Sequence, residues 1–234
     1  MRKAVIFDID DTLYNYRSAN VHAMDALCRY VRRELNLEEG AFREDYNRVM
    51  DYQMRERGET AGCHSRAIRL QLLLEERGLP LRHAAAMNDL YWNALLDVIT
   101  PSPGVTELIQ ALKGRGIRLG VGSDMTADWQ LKKLERLGLL DLMDFVVTSE
   151  EAGVEKPDPG LFLLCADKAG CLPEECLFIG DNLKKDVLGA QNAGMEALWL
   201  QSDPQKAGEY PSVKSIPGFQ GLIDHILFQK EKDS

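Results

Sequence analysis

The sequence lacks a long apolar run, a basic excess and a paired-cysteine pattern, and each absence removes a class of protein. No stretch approaches the roughly 20 consecutive apolar residues of a membrane-spanning helix. The first residues carry no secretory pattern, because Asp8, Asp10 and Asp11 interrupt any apolar run. Lysine and arginine number 28 against 37 aspartates and glutamates, a net charge of −9. A nucleic-acid partner, which needs a basic face, is therefore not expected. A small anionic partner stays compatible, because a local pocket can be positive on an acidic protein. The five cysteines, Cys28, Cys63, Cys165, Cys171 and Cys176, are odd in number and show no C-x-x-C spacing. That argues against a disulfide framework and against a zinc site. Cys28 and Cys165 fall on apolar helical faces and are expected in the core. A reducing cytoplasm is the expected location. Internal repeats and low-complexity tracts are absent as well. What remains is ordinary globular composition, 45% hydrophobic and 28% charged, on a chain long enough for one large domain or for a core with a smaller partner.

Two textures alternate along the chain. From about Ser18 to Asp97 the apolar spacing is helical. Val21, Met24, Leu27, Val31 and Leu35 recur three and four apart, and further helices are expected over Glu38–Arg57, His64–Arg77 and Arg82–Leu96. From Pro101 the pattern becomes alternating. Helices over Gly104–Lys113, Ala127–Leu137, Pro159–Lys168 and Lys184–Ala193 interleave with strands over Ile117–Gly122, Phe145–Thr148, Cys176–Ile179 and Glu196–Leu200. This predicts a parallel sheet with right-handed crossovers. The first strand, Lys3–Phe7, has no partner nearby and must join that later sheet. The helical segment is then an insertion. The expected boundaries are residues 1–16 and 98–234 for an α/β core and 17–97 for an all-helical unit. Ser202–Gly221 has loop composition, and Leu222–Phe228 is read as a closing helix.

The first strand ends in Asp8-Ile9-Asp10-Asp11-Thr12, three carboxylates within four positions. Residues two apart on an extended chain point the same way, so Asp8 and Asp10 can face one pocket. Two like charges this close favour a cation between them. Mg²⁺, a hard ion that commonly uses one or two carboxylates plus substrate phosphate, suits such a site. A calcium loop of the EF-hand type does not fit, since Leu13 and Ala19 stand where it needs Gly and Glu. Three later stretches lie at the carboxyl ends of expected strands. Ser123-Asp124 offers a hydroxyl to a phosphate oxygen. Lys156 stands before Pro157 and Pro159, which fix the backbone around it. Gly180-Asp181-Asn182, with Asp186 beyond, repeats the motif of an acid ending a buried strand.

In these four stretches the chain resembles the haloacid dehalogenase-like hydrolases, over essentially its whole length. Asp8-Ile9-Asp10-Asp11-Thr12-Leu13 matches the first family motif, Ser123 the second, Lys156 the third, and Gly180-Asp181 with Asp186 the fourth. The neighbourhoods of the first and third motifs look like those of pyrimidine-nucleotidase-type and related small-phosphate phosphatases. The resemblance implies a Rossmann-like parallel-sheet core with an inserted helical cap, and a Mg²⁺-dependent phosphatase acting on a small phosphorylated metabolite such as a nucleoside monophosphate or sugar phosphate. It implies Asp8 as nucleophile forming an aspartyl-phosphate and Asp10 as proton donor and acceptor. Asp8, the Asp10 carbonyl and Asp181 would hold the metal. Ser123, Lys156 and the backbone N–H groups of Asp11 and Asp124 would bind the phosphoryl oxygens. Asn182 and Asp186 would support the metal or orient Lys156. Asp124 stands where the family often has Asn, a change expected to alter substrate orientation. A phosphomutase on the same scaffold is the alternative. Hydrolysis of a carbon–halogen bond is less favoured, because it needs neither the second acid nor a metal. Tyr14, Tyr16, Arg17, His22 and Arg66 are the candidates for specificity.

Overall fold

The computed structural model describes residues 2–58, 60–220 and 222. The chain divides into two compact units: Met1–Asn15 with Thr100–Ser234, and Tyr16–Ile99.

The first unit is built on a six-stranded, all-parallel sheet: β1 (Ala4–Phe7), β2 (Arg118–Ser123), β3 (Phe145–Thr148), β4 (Cys176–Gly180), β5 (Glu196–Leu200) and β6 (Ser215–Ile216). The spatial order is β3-β2-β1-β4-β5-β6. All four residues of β1 are fully buried, as a central parallel strand covered on both faces demands. Phe7 is level with Val121 of β2 and with Ile179 of β4. The chain leaves β1 toward β2 and β3 on one side and returns to β4 on the other, so the strand order reverses beside β1. Such a switch point opens a crevice at the strand carboxyl ends. Asp8, Ser123 and Asp181 stand on that edge because the register puts them there.

Helices α5 (Val105–Lys113), α6 (Ala127–Arg136), α7 (Ser149–Ala152), α8 (Pro159–Ala169), α9 (Gly189–Asn192) and α10 (Pro204–Gly208) complete this unit. Leu161, Phe162 and Cys165 of α8 pack on Ile6 and Phe178 of the sheet. The expected helix over Lys184–Ala193 is instead a π-helical turn, Leu183–Leu188, running into α9. Ser202–Gly221, read as loop, contains α10 and β6. The expected Leu222–Phe228 helix lies, apart from Leu222, outside the described residues.

Among the described residues the second unit has four α-helices, α1 (Tyr16–Leu35), α2 (Glu39–Arg57), α3 (Arg66–Glu76) and α4 (Arg82–Val98), with a 3-10 turn at Ala61–His64. Ser65 caps α3 by accepting from Ile68 N. Leu27, Val31, Phe42, Leu70, Leu73, Tyr91 and Leu95 are buried. Val21, read as part of the apolar stripe of α1, is 58% exposed; the stripe starts at Ala19 and Ala23 instead. Cys28 and Cys165 are buried, as expected, and all five cysteines are free thiols. Among the described residues no helix is long and apolar enough to cross a membrane.

Candidate active site

Asp8 follows β1 directly, and its amide donates to the Ile179 carbonyl, so the ladder with β4 holds it in place. Its carboxylate is buried. Lys156 Nζ lies 2.6 Å from Asp8 Oδ1 and 2.7 Å from Asp186 Oδ1. Ser123 Oγ donates to the same Asp8 oxygen at 3.1 Å. Residues 115 and 148 positions from Asp8 thus converge on one oxygen. Burial pushes the Asp8 carboxyl up to about 8; Lys156 opposes the rise, while Asp186 and Asp10 add to it. Burial would lower the Lys156 ammonium, but attraction to Asp186, Asp8 and Asp124 outweighs it and raises its pKa well above the ordinary lysine value.

Asp186 is placed by the π-helical turn. Asn182 caps that turn by accepting from Lys185 N at 3.0 Å, and Asn182 N donates to Asp186 Oδ2 at 2.9 Å. Gly180 is what admits this carboxylate: a β-carbon there would lie 2.5 Å from Asp186 Cβ. Asp181 is fixed through its backbone, its carbonyl accepting from Trp199 Nε1 at 2.8 Å.

Asp8, Asp181 and Asp186 each bring a carboxylate oxygen within 4.8 Å of the other two. Asp10, Asp124 and Glu155 add further acid at this edge, where the ammonium groups are Lys133, Lys156 and Lys185. Carboxylates outnumber ammonium groups, and oxygen donors so crowded fit a hard divalent cation such as Mg²⁺.

The Asp124 side chain has a role beyond the expected one. The sequence suggested a backbone contribution and altered substrate orientation. In the structure its side chain accepts from Lys156 N at 2.9 Å and pairs with Lys185 Nζ at 2.7 Å, so it braces the segment that carries Lys156. Asp10 is also placed differently from Asp8. Its carboxylate accepts from Lys133 Nζ at 2.7 and 2.8 Å and from the Tyr14 hydroxyl at 2.5 Å. Asp11 has φ of +58°, a left-handed turn that begins the exit from the sheet edge.

Two residues of this edge escaped the sequence reading. Gln130 Nε2 donates to Ser123 Oγ at 2.8 Å and to the Asp124 carbonyl at 2.7 Å. Lys133, one turn on, is fully buried. Lys133 and Leu134 follow Gln130 by three and four positions on α6, so all three share one side of the helix. Polar residues on an apolar stripe were the available signal.

Of the specificity candidates, Arg17 and His22 are exposed. Within the helical unit Arg66 is buried; it donates to the Tyr16 hydroxyl at 2.5 Å and to the His64 carbonyl at 2.8 Å. Its guanidinium lies 5.4 Å from the Tyr91 ring and 5.3 Å from the Trp92 ring.

The chain is similar to known proteins over most of its length. Residues 2–194 match the family model for haloacid dehalogenase-like hydrolases. The ribulose-1,5-bisphosphate 5-phosphatase of Halopiger xanaduensis is 35% identical over 97% of this chain and 95% of its own length. The pyrimidine 5'-nucleotidase YjjG of Escherichia coli is 34% identical, but over 53% of this chain and 55% of its own. Among solved structures, a HAD phosphatase from Thermococcus onnurineus superposes with a TM-score of 0.76 at 25% identity, covering 97% of this chain and 98% of its own. A parallel sheet whose first, second and fourth strands end in Asp8, Ser123 and Gly180-Asp181, with Lys156 paired to Asp8 and Asp186, and a family match over most of the length lead to one conclusion: the chain belongs to the haloacid dehalogenase-like hydrolases.

Proposed function

We propose that the protein hydrolyses a small phosphomonoester, with Mg²⁺, through an aspartyl-phosphate on Asp8. The observation that carries this reading is the convergence of Lys156 Nζ and Ser123 Oγ on one Asp8 oxygen. Donors that meet at a carboxylate also meet the phosphoryl oxygens of an ester that carboxylate attacks. Asp8 forms a bond to phosphorus as the ester P–O bond breaks, and the leaving oxygen takes a proton from Asp10. Asp10 then takes a proton from water, whose oxygen attacks phosphorus and releases the Asp8 carboxylate and inorganic phosphate. Lys156 and Ser123 bind the transferring oxygens throughout, and Asp186 and Asp124 hold Lys156 from two sides. Mg²⁺ bound among Asp8, Asp181 and the Asp10 carbonyl, with Asp186 beside it, would screen the repulsion between a carboxylate and an anionic ester.

The full-length likeness to a ribulose-1,5-bisphosphate 5-phosphatase favours a sugar phosphate over a nucleotide, since the nucleotidase match spans about half of each chain. The helical unit serves in this reading as the cap that selects the substrate. Five free thiols fit a reducing cytoplasm.

The test is phosphate release from a panel of sugar phosphates, uridine monophosphate and 4-nitrophenyl phosphate, with and without EDTA. Wild-type protein should be active only with Mg²⁺ and fastest on a sugar phosphate. Asp8→Asn should remain folded and lose turnover on every ester. Near-native turnover by that variant would remove Asp8 as nucleophile.

A further inference from the structure

Lys133 is a buried charge at the sheet edge that the proposed reaction does not use. It lies on α6, and its side chain has no exposed surface, while that of Asp10 is 25% exposed. The ammonium reaches both Asp10 oxygens, at 2.7 and 2.8 Å, across 123 residues of sequence. Around it are Met125 Sδ at 3.8 Å and the Tyr14 ring, 5.9 Å away. Tyr14 is itself buried and donates its hydroxyl to Asp10 Oδ1.

Stability is a weak reason for placing an ion pair here. Burying an ammonium costs several kcal/mol in desolvation, and apolar residues in place of both partners of a buried ion pair are often neutral or stabilising, although removing one partner alone is costly. What the lysine adds is direction. A carboxylate turns freely about its terminal torsion, a broad and soft degree of freedom. Lys133 spans both oxygens, and Tyr14 takes one of them, so the carboxylate plane is fixed. Proton transfer depends on such placement, where about 1 Å of error can cost about 100-fold.

We infer that Lys133 is a positioning residue that aims the Asp10 carboxylate at the oxygen leaving phosphorus. The inference rests on the phosphatase reading above and deepens it. Its signature is dependence on the leaving group. An alkoxide must be protonated as it departs, whereas nitrophenolate leaves as a stable anion and needs little help.

The experiment measures kcat/KM with Mg²⁺ for glycerol 3-phosphate and 4-nitrophenyl phosphate. It compares wild type, Lys133→Met, Lys133→Arg and Asp10→Asn. For Lys133→Met we expect a loss of about 10- to 100-fold on the alkyl ester, part of the 10²–10⁴-fold general acid–base contribution, and less than about 5-fold on the aryl ester. Asp10→Asn should show the same split, larger. Lys133→Arg keeps the charge and a two-pronged donor and should recover part of the alkyl-ester rate. Equal losses on the two esters in Lys133→Met, or in Lys133→Arg should the first variant not fold, would reduce Lys133 to a structural ion pair and overturn the inference. An undiminished alkyl-ester rate would overturn it too. Wild-type protein that hydrolyses neither ester would instead defeat the phosphatase reading itself.

Discussion

A single methyl group at Gly180 should disable the site. In Gly180→Ala the new carbon would lie 2.5 Å from Asp186 Cβ and closer still to its carboxylate. Carbon atoms in contact sit about 3.5–4.0 Å apart, so Asp186 must retreat by about 1 Å. It has little room to do so. Its carboxylate is held by Lys156 Nζ at 2.7 Å and by Asn182 N at 2.9 Å. Hydrogen bonds of this kind extend to about 3.2 Å, which leaves a few tenths of an ångström before both fail. Strain from overpacking costs about 1–3 kcal/mol, and a lost hydrogen bond to a charged group about 1.5–3 kcal/mol. Relaxation absorbs part of this, so the net expectation is about 2–4 kcal/mol. At about 2–4 °C per kcal/mol for a chain of this size, the melting temperature should fall by about 5–15 °C. Lys156 loses one of its two anchors at the same time, and kcat/KM for a sugar phosphate should fall about 100-fold. Thermal unfolding and steady-state kinetics read the two effects separately. Gly40→Ala is the control, since nothing lies within 4 Å of its added carbon. A Gly180→Ala protein that melts and turns over like wild type would refute the claim that Asp186 is held against β4.

Two further substitutions probe the surroundings. Asp124→Asn keeps an acceptor for Lys156 N and loses the ion pair with Lys185, whose side chain is 34% exposed, together with the smallest of the three carboxylate attractions on the Lys156 ammonium. Such pairs contribute about 0–1 kcal/mol, so kcat should stay within about 3-fold, while Asp124→Ala removes the brace and should cost about 10-fold. Asn and Ala variants with the same kinetics would show that the carboxylate does not brace Lys156. On the far side of the sheet, burial pushes the Glu196 carboxyl up, but hydrogen bonds from Lys214 and Arg2 outweigh it and hold it below the usual glutamate range. A carboxyl with a lowered folded-state pKa stabilises above its unfolded value, and the effect fades as pH drops through the folded one. Glu196→Gln should therefore lower the urea midpoint at pH 7 and approach wild type at about pH 3, below the ordinary glutamate value of about 4.3. A constant gap across that range would contradict the assignment.

The legible parts of the fold were those where residue type and position speak together. Ala4–Phe7 is apolar throughout and then turns abruptly acidic, which marks both a central strand and its functional end. Phe178-Ile179-Gly180-Asp181 repeats the change, and the glycine carried a second message, the close approach of Asp186. Other parts depend on the partner and not on the residue. Ser215 and Ile216 make a strand only because β5 offers an edge, and two residues have no periodicity to read. Val21 has the right spacing for the stripe of α1 and still faces solvent. Lys132 and Lys133 are adjacent and chemically identical. Lys132 reaches out to Asp128 at 2.9 Å, while Lys133 is buried against Asp10, and only the rotation of α6 against the sheet separates them.

That rotation bears on how one kind of side chain does two jobs. Asp8 and Asp10 are the same residue, two positions apart, and in the proposed reaction one must attack phosphorus while the other moves protons. Their difference is imposed from outside. Asp8 lies on the buried side with Lys156 and Ser123, and Lys156 is shared with Asp186, so donors and charge collect where the phosphoryl group would sit. Asp10 lies toward solvent and is held by Lys133 and Tyr14, which fix its direction. Two lysines from different elements therefore separate the environments of two identical acids, and separated environments are what allow paired carboxylates to take different roles. The acid cluster after β1 supplies the groups. The β3–α8 connection and α6, brought to the same edge by the parallel register, decide which group does what.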